Sequence, residues 1–220
     1  MKRILGADVS LNHSGFVLLD EDGELEDYCF ITEKAGDASR NKEHGTRWKQ
    51  PIKKKDSHLK SVVRIAWLDQ MLRNIYERTR PDLIVIEGYA FDTHGAHQMG
   101  EIGGLARLLA WQRGCPQRRH DPLTVKMFAC HKGNAKKGEV QKAVSERWGV
   151  DFLHCGAQAH EDLCDAYVLA MMGLTEARIR SGAIALNSLH PKELQVFNRT
   201  TKKAPINVLG RGWISCMDTA

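Results

Sequence analysis

The sequence predicts an α/β layered domain, a mixed β-sheet of about five strands, the first three antiparallel, flanked by helices. Two observations carry this. Three strand-like segments follow one another within the first 32 residues, and beyond residue 58 apolar runs alternate with segments of helical period. A third observation concerns chemistry: two of the apolar runs carry a single carboxylate near their ends, Asp8 and Glu87.

The first strand, about residues 3–8, is formed by Ile4, Leu5 and Ala7 and closes on Asp8. Gly15 opens the second, about 15–20, with Phe16-Val17-Leu18-Leu19, and "DEDGE" (20–24) supplies the Asp and Gly of a tight turn into the third, 25–32. Residues 33–57 have no apolar period and many charges, with Lys53, Lys54 and Lys55 near their end, as a loop would. Val62, Ile65, Ala66, Leu68, Leu72 and Ile75 then recur at helical spacing from Leu59 to about Arg78, and Pro81 closes that helix. The continuous run "DLIVIEGYAF" (82–91) reads as the fourth strand, and residues 96–112 as a helix with Met99, Ile102, Leu105, Ala106 and Leu109 on one side. A fifth strand is expected in "QRRHDPL" and a helix in "GEVQKAVSERWG" (138–149). Residues 160–182 form a strongly apolar helix with Glu161, Asp162 and Asp165 in its first turns and Gly182 as its stop. A domain of residues 1–185 would then be followed by an irregular tail, 186–220, with no assigned role.

Composition fits this picture. The chain has 220 residues, 42% of them apolar and 27% charged, which suits one sizeable globular domain. A formal charge of +5 permits a polyanionic partner without requiring one. No stretch approaches the roughly 18 apolar residues of a membrane span, and no long apolar leader opens the chain, so a cytoplasmic protein without a membrane partner is expected. Six cysteines without CxxC spacing point to free thiols.

If the first and fourth strands are adjacent and parallel, Asp8 and Glu87 stand side by side, and a helix packed across that edge would deliver Asp162 and Asp165. Four carboxylates so close would repel one another unless a cation joined them, and hard divalent metals, Mg²⁺ or Mn²⁺, prefer such oxygens. Spacing does not decide the helical pair: Asp162 and Asp165 share a face, but so do Glu161 and Asp165. Acids at a helix start also suit its dipole. His154, Cys155, His160 and Cys164 form a second candidate set, for zinc, in which no spacing supplies a convincing fourth ligand. His160, next to the acids, is alternatively a proton-transfer group.

"ILGADVSLNHSG" resembles the opening motif of RuvC-type Holliday junction resolvases of the ribonuclease H-like superfamily, the phage-encoded versions in particular. "RPDLIVIEGYAF" is similar to that family's second motif, "LTVKMFACHKGNAKKGEVQKAV" to its third region and "HEDLCDAYVLAM" to its closing motif, in order over residues 3–175. Val9-Ser10 departs from the Pro-Gly usual in bacterial members. The resemblance implies a ribonuclease H-like fold and a metal-dependent crossover junction endodeoxyribonuclease. It selects Asp162 and Asp165 beside Asp8 and Glu87 as the catalytic, metal-holding acids, with two Mg²⁺ per site and Mn²⁺ as substitute. It further implies a homodimer acting on four-way or other branched DNA, in the host cytoplasm if phage-encoded. Acids repel phosphates, so basic residues should rim such a site: Lys126, Lys132, Lys136 and Lys137 around Gly133 and Gly138, with Lys53–Lys55 and Arg118-Arg119 weaker. The family pattern favours Lys126 and Lys137 near the scissile phosphate and Tyr89 or Phe91 as an aromatic wedge at the branch point. The same acids would equally serve a nuclease for RNA/DNA hybrids or flaps or a transposase-type enzyme; a non-catalytic nucleic-acid-binding adaptor and a nucleotide-binding ATPase relative are the readings from another class.

Overall fold

A computed structural model describes residues 1–10, 12–32, 47–48, 57–88, 96–197 and 212–213. Strands β1 (Ile4–Val9), β2 (His13–Leu19) and β3 (Leu25–Thr32) form the antiparallel meander, and Asp20 ties the turn before β3 by accepting the backbone N–H of Asp22 at 3.0 Å and of Glu24 at 2.8 Å. A two-residue strand, β4 (Arg47–Trp48), pairs parallel to β3 within the segment expected to be loop throughout. Helix α1 (Ser57–Thr79), β5 (Leu83–Glu87), α2 (Ala96–Gln112) and β6 (Gln117–His120) follow. The sheet order is β4-β3-β2-β1-β5-β6, with β5 parallel to both β1 and β6.

Alternation along each strand sorts the core into two layers. Leu5, Ala7, Val9, Phe16, Leu18, Ile84 and Ile86 face α1 and α2, whereas Ile4, Val17, Leu19, Leu83 and Val85 face the opposite layer. That layer holds α3 (Pro122–Cys130), α4 (Lys137–Trp148), α5 (Ala157–Arg180) and the short α6 (Pro191–Phe197). The expected fifth strand ends at His120; Asp121 keeps an extended backbone and Pro122 then sits in the first turn of α3, where its missing N–H costs nothing. Irregular chain was expected after residue 185, but α6 buries Val196 and Phe197, whose ring meets Phe128 edge-on at 6.1 Å.

Helix α5 is the central element of its layer. It lies so close on β1 and β2 that a Cβ on Gly6 would come within 1.9 Å of the Ala166 carbonyl oxygen, and one on Gly15 within 2.4 Å of the Asp162 carbonyl oxygen. Gly173, farther along, lies against Ile4, Leu83 and Val85. The helix therefore runs antiparallel to β1, and its early turns lie at the edge where β1 ends.

Gly6→Ala should lower the unfolding free energy by about 3 kcal/mol or more, the upper end of ordinary overpacking, because the clash is with backbone. Gly138→Ala, with nothing within 4 Å of its Cβ, should stay within about 0.5 kcal/mol of the parent. Urea unfolding followed by circular dichroism measures both.

Candidate active site

Asp8 shares the face of Ile4 and Gly6, so it points into the α5 layer, and across β2 it is paired with Gly15. The glycine makes room for the backbone of Asp162, which brings that acid to the same place. Glu87 lies one residue beyond the last registered β1–β5 pair, Ala7 with Ile86, on the face of Leu83 and Val85. Asp165 follows Asp162 by one turn of α5.

The electrostatics record this convergence. Burial, and then the charges of Glu87, Asp162 and Asp165, hold the Asp8 carboxyl well above the usual carboxylate range. Burial and Asp165 push Glu87 up to about 8, against a hydrogen bond with Asp8 and the charges of Lys126 and Lys137. Burial and Asp162 push Asp165 up to about 7, again opposed by Lys137 and Lys126. Without a counter-cation, burial and their mutual repulsion disfavour the charged form of all three acids.

Asp162 differs. Its Oδ1 and Oδ2 accept from the Gln158 side-chain amide at 3.1 and 3.3 Å, and His13 Nδ1 lies 2.6 Å from Oδ2. Glu161, the alternative by spacing, instead pairs with Lys137 Nζ at 2.7 Å. Gln158 was open to discovery through its i,i+4 spacing to Asp162; no local signal announces His13, because β2 and α5 meet only in the folded chain. Nor does the helix dipole explain the acids: α5 begins at Ala157 and has no acid in its first turn.

Of the expected basic residues, Lys126 on α3 and Lys137 on α4 act on the acids. Lys132 pairs with Glu139 at 2.8 Å, and Lys136 stands exposed ahead of α4, its backbone N–H donating to Glu139 at 2.6 Å. Arg118 is no surface cation: it is buried against Glu176 at 2.6 Å. Tyr89, Phe91 and Lys53–Lys55 lie outside the described residues. In the zinc candidate set, Cys155 and Cys164 are buried, and burial pushes the Cys164 thiol up to about 12. His154 is engaged by the Tyr28 hydroxyl at 2.9 Å, and Cys164 Sγ is 3.8 Å from His160 Nδ1. Burial lowers the His160 pKa.

Among the described residues, no three or more His, Cys, Asp or Glu side chains close into a set that would hold a metal ion as they stand. The donor chemistry of the four acids still suits a hard divalent cation: every side chain offers carboxylate oxygens, and a cation would offset the charge that burial and mutual repulsion make costly. A cleft of about 670 Å³, lined by Tyr76, Arg80, Asp82, Arg113 and Cys115 among others, lies at the opposite end of β5 and includes none of these acids. No helix among the described residues is long and apolar enough to cross a membrane.

No family model matches the chain. It is 23% identical over 145 residues to the crossover junction endodeoxyribonuclease RuvC of Koribacter versatilis, covering 65% of this chain and 76% of that protein. To the RuvC of Gloeobacter violaceus it is 27% identical over 112 residues, covering 50% of this chain and 62% of the relative, less than two thirds of its length. The structure of RuvC from Thermus thermophilus superposes with a TM-score of 0.56 at 21% identity, over 82% of this chain and 96% of that one. The same protein in complex with a Holliday junction substrate gives 0.56 at 20% identity, over 83% and 97%. The fold is thus the ribonuclease H-like one: a mixed sheet flanked by helices.

The acids set a pH dependence whose sign follows from their shifts. Folded-state values above those of an unfolded chain mean that the native protein binds more protons, so their contribution is complete below about pH 4 and is lost as pH rises through about 7 to 8. In EDTA, the unfolding midpoint should fall between about pH 5 and 8.5, and Asp165→Asn should flatten that fall. Denaturant titrations across the interval test it; a stability rising with pH would contradict the placement of these acids.

Proposed function

We propose that the protein is a divalent-metal-dependent endodeoxyribonuclease that cuts four-way junctions or other branched DNA. One observation carries this: Asp8, Glu87, Asp162 and Asp165 converge from β1, β5 and α5 on a single edge of the sheet, with Lys126 and Lys137 beside them. The similarity to proteins named as crossover junction endodeoxyribonucleases supports branched DNA as the substrate.

Asp8, Glu87, Asp162 and Asp165 would hold two Mg²⁺, or Mn²⁺ in their place. Bound there, the ions would supply Lewis acidity for activating water and for stabilising a leaving 3′ oxygen, the chemistry of hydrolysis to a 5′ phosphate. The protein's own part is placement. Two strand ends and a helix bring the backbones of the acids together, so that side-chain rotation alone would close them on a cation, and the packed α5 layer desolvates one side of the cluster. Lys137, exposed on α4 and paired with Glu161, exchanges that carboxylate for a DNA phosphate; Lys126, half-buried on α3, offsets the negative charge from behind.

Paired nicks across a junction need two active sites, and a homodimer supplies them. Val62 and Val63 on α1 and Leu108 and Trp111 on α2 are exposed on the layer away from the acids, which supports pairing through that layer and leaves both sites open.

Asp8→Asn should abolish Mg²⁺-dependent nicking of a synthetic four-way junction while junction binding in EDTA is retained, since the amide keeps the shape of a carboxyl that burial already disfavours as a charge. A hybrid duplex and a flap assayed beside the junction separate this reading from other nucleases of the same fold. Normal cleavage by Asp8→Asn would remove the cluster from the chemistry. Lys137→Ala should weaken binding and make its salt dependence shallower by one phosphate contact, read from binding isotherms at several salt concentrations; an unchanged slope would return this lysine to the solvated surface.

A further inference from the structure

We propose that His13 is a positioning residue for Asp162, holding that carboxylate through Nδ1 from the first residue of β2; the proposal rests on the nuclease reading above. Among the described residues, the Asp162 side chain is approached by neutral or basic neighbours from two different elements. Gln158, one turn earlier on α5, donates to both of its oxygens, and His13 Nδ1 approaches Oδ2 to 2.6 Å. Nδ1 is itself buried and has no aligned hydrogen-bond partner, although the His13 side chain as a whole is 28% exposed. Nδ1 therefore lies buried in contact range of the carboxylate, and the exposed part of the side chain lies elsewhere on the ring.

The turn from β1 to β2 explains why His13 is available for this. Ser10 N–H donates to Ser14 Oγ at 3.0 Å, Ser14 Oγ donates back to the Ser10 carbonyl at 3.1 Å, and Ser10 Oγ donates to the His13 carbonyl. These bonds fix the backbone on both sides of His13, and pairing with Thr32 on β3 fixes its position in the sheet. Asp162 is nearly as constrained, since its backbone sits in the space that Gly15 leaves open. A buried carboxylate between two such anchors takes its orientation from its donors. Gln158 belongs to the same helix as Asp162 and moves with it; among the described residues it is His13 that ties the carboxylate to the strand layer that carries Asp8. The outer partners of metal-holding groups commonly matter by this route, and their loss typically costs about 10- to 100-fold in metal affinity or activity.

Two substitutions separate the ring edges. Asparagine places its amide nitrogen where Nδ1 stands, whereas glutamine reaches toward Nε2. We expect His13→Ala and His13→Gln to slow single-turnover nicking of a four-way junction by about 10- to 100-fold and to need more Mg²⁺ for half-maximal rate. His13→Asn should stay within about threefold of the parent, well inside that range. As a readout apart from activity, the rise in unfolding temperature on adding Mg²⁺ alone should shrink for Ala and Gln and persist for Asn, with junction binding in EDTA unchanged in all three. Parental rates for His13→Ala would overturn the proposal. So would rescue by Gln and not by Asn, which would assign the outer edge of the ring to DNA, and so would losses that simply follow a lowered unfolding temperature in EDTA. The parent and Asp162→Asn keep the two levels apart. If the parent nicks and Asp162→Asn does not, a normal His13→Ala defeats the His13 proposal alone; if the parent neither nicks nor gains stability from Mg²⁺, the nuclease reading fails and takes this proposal with it.

Discussion

Helix α5 lies against the sheet at a distance that only glycine permits, and much else in the molecule depends on that contact. Gly6 and Gly15 sit on neighbouring strands, β1 and β2, and the backbone of α5 occupies the volume where their Cβ atoms would stand. Small residues on the helix, Ala166 and Ala170, complete the approach. Water is excluded along the contact, so the carboxylates at its end are desolvated, and desolvation is the first cause of every raised acid in the cluster. Position and electrostatics therefore have one origin: the spacing that carries Asp162 to Asp8 also makes the charge of Asp8 costly.

The other end of α5 shows how this protein treats a buried acid that has only to be stable. Glu176 is fully buried, and Arg118 and Arg180 answer it with bonds of 2.6 to 2.9 Å. Planar guanidinium groups satisfy both oxygens, and the charge is neutralised in place. Among the described residues no arginine plays that part at the acid cluster; two lysines oppose the charge incompletely, and the pKa values of Asp8, Glu87 and Asp165 stay raised. The contrast lies within one helix and one layer. Acids whose charge is left uncompensated in this way mark a candidate functional site rather than a structural ion pair.

The basic side of the site has its own support, and it comes from beyond the expected domain end. Helix α3 closes on His131 in the left-handed region, φ 56°, just before the stretch from Lys132 to Lys137. His131 meets Glu193 of α6 at 3.0 Å and stacks on His190 at 3.6 Å, while Arg147 of α4 binds Glu193 at 2.5 Å and caps the end of α3 through the carbonyls of Phe128 and Ala129. Burial acts against the Glu193 charge, yet bonds from His131 and Arg147 hold its pKa below the ordinary value. The segment 186–197 thus clamps both helices that flank the lysine loop.

Periodicity alone was enough for much of this. Alternation in β1 and β2, the Asp-Gly turn before β3 and the continuous run of β5 depend on neighbours a few residues apart, so strands, most helices and the acid at each strand end were legible. Short elements were not. Helix α3 hides behind an Asp-Pro step that also reads as the end of a strand, β4 has two residues and no period, and α6 has only seven residues, too few for a pattern to stand out. Among the site residues, spacing left Glu161 and Asp162 equivalent. The fold separates them because Gly15 admits the backbone at Asp162, while Glu161 is left to pair with Lys137. It likewise sends Lys132 to Glu139, buries Arg118 under α5 and brings His13 to Asp162 across 149 positions of sequence separation (162 − 13). Which residue types the chain offers, and in what local geometry, was decided by the sequence itself; which of them meet was decided by helix and sheet packing, a long-range consequence that no local period encodes.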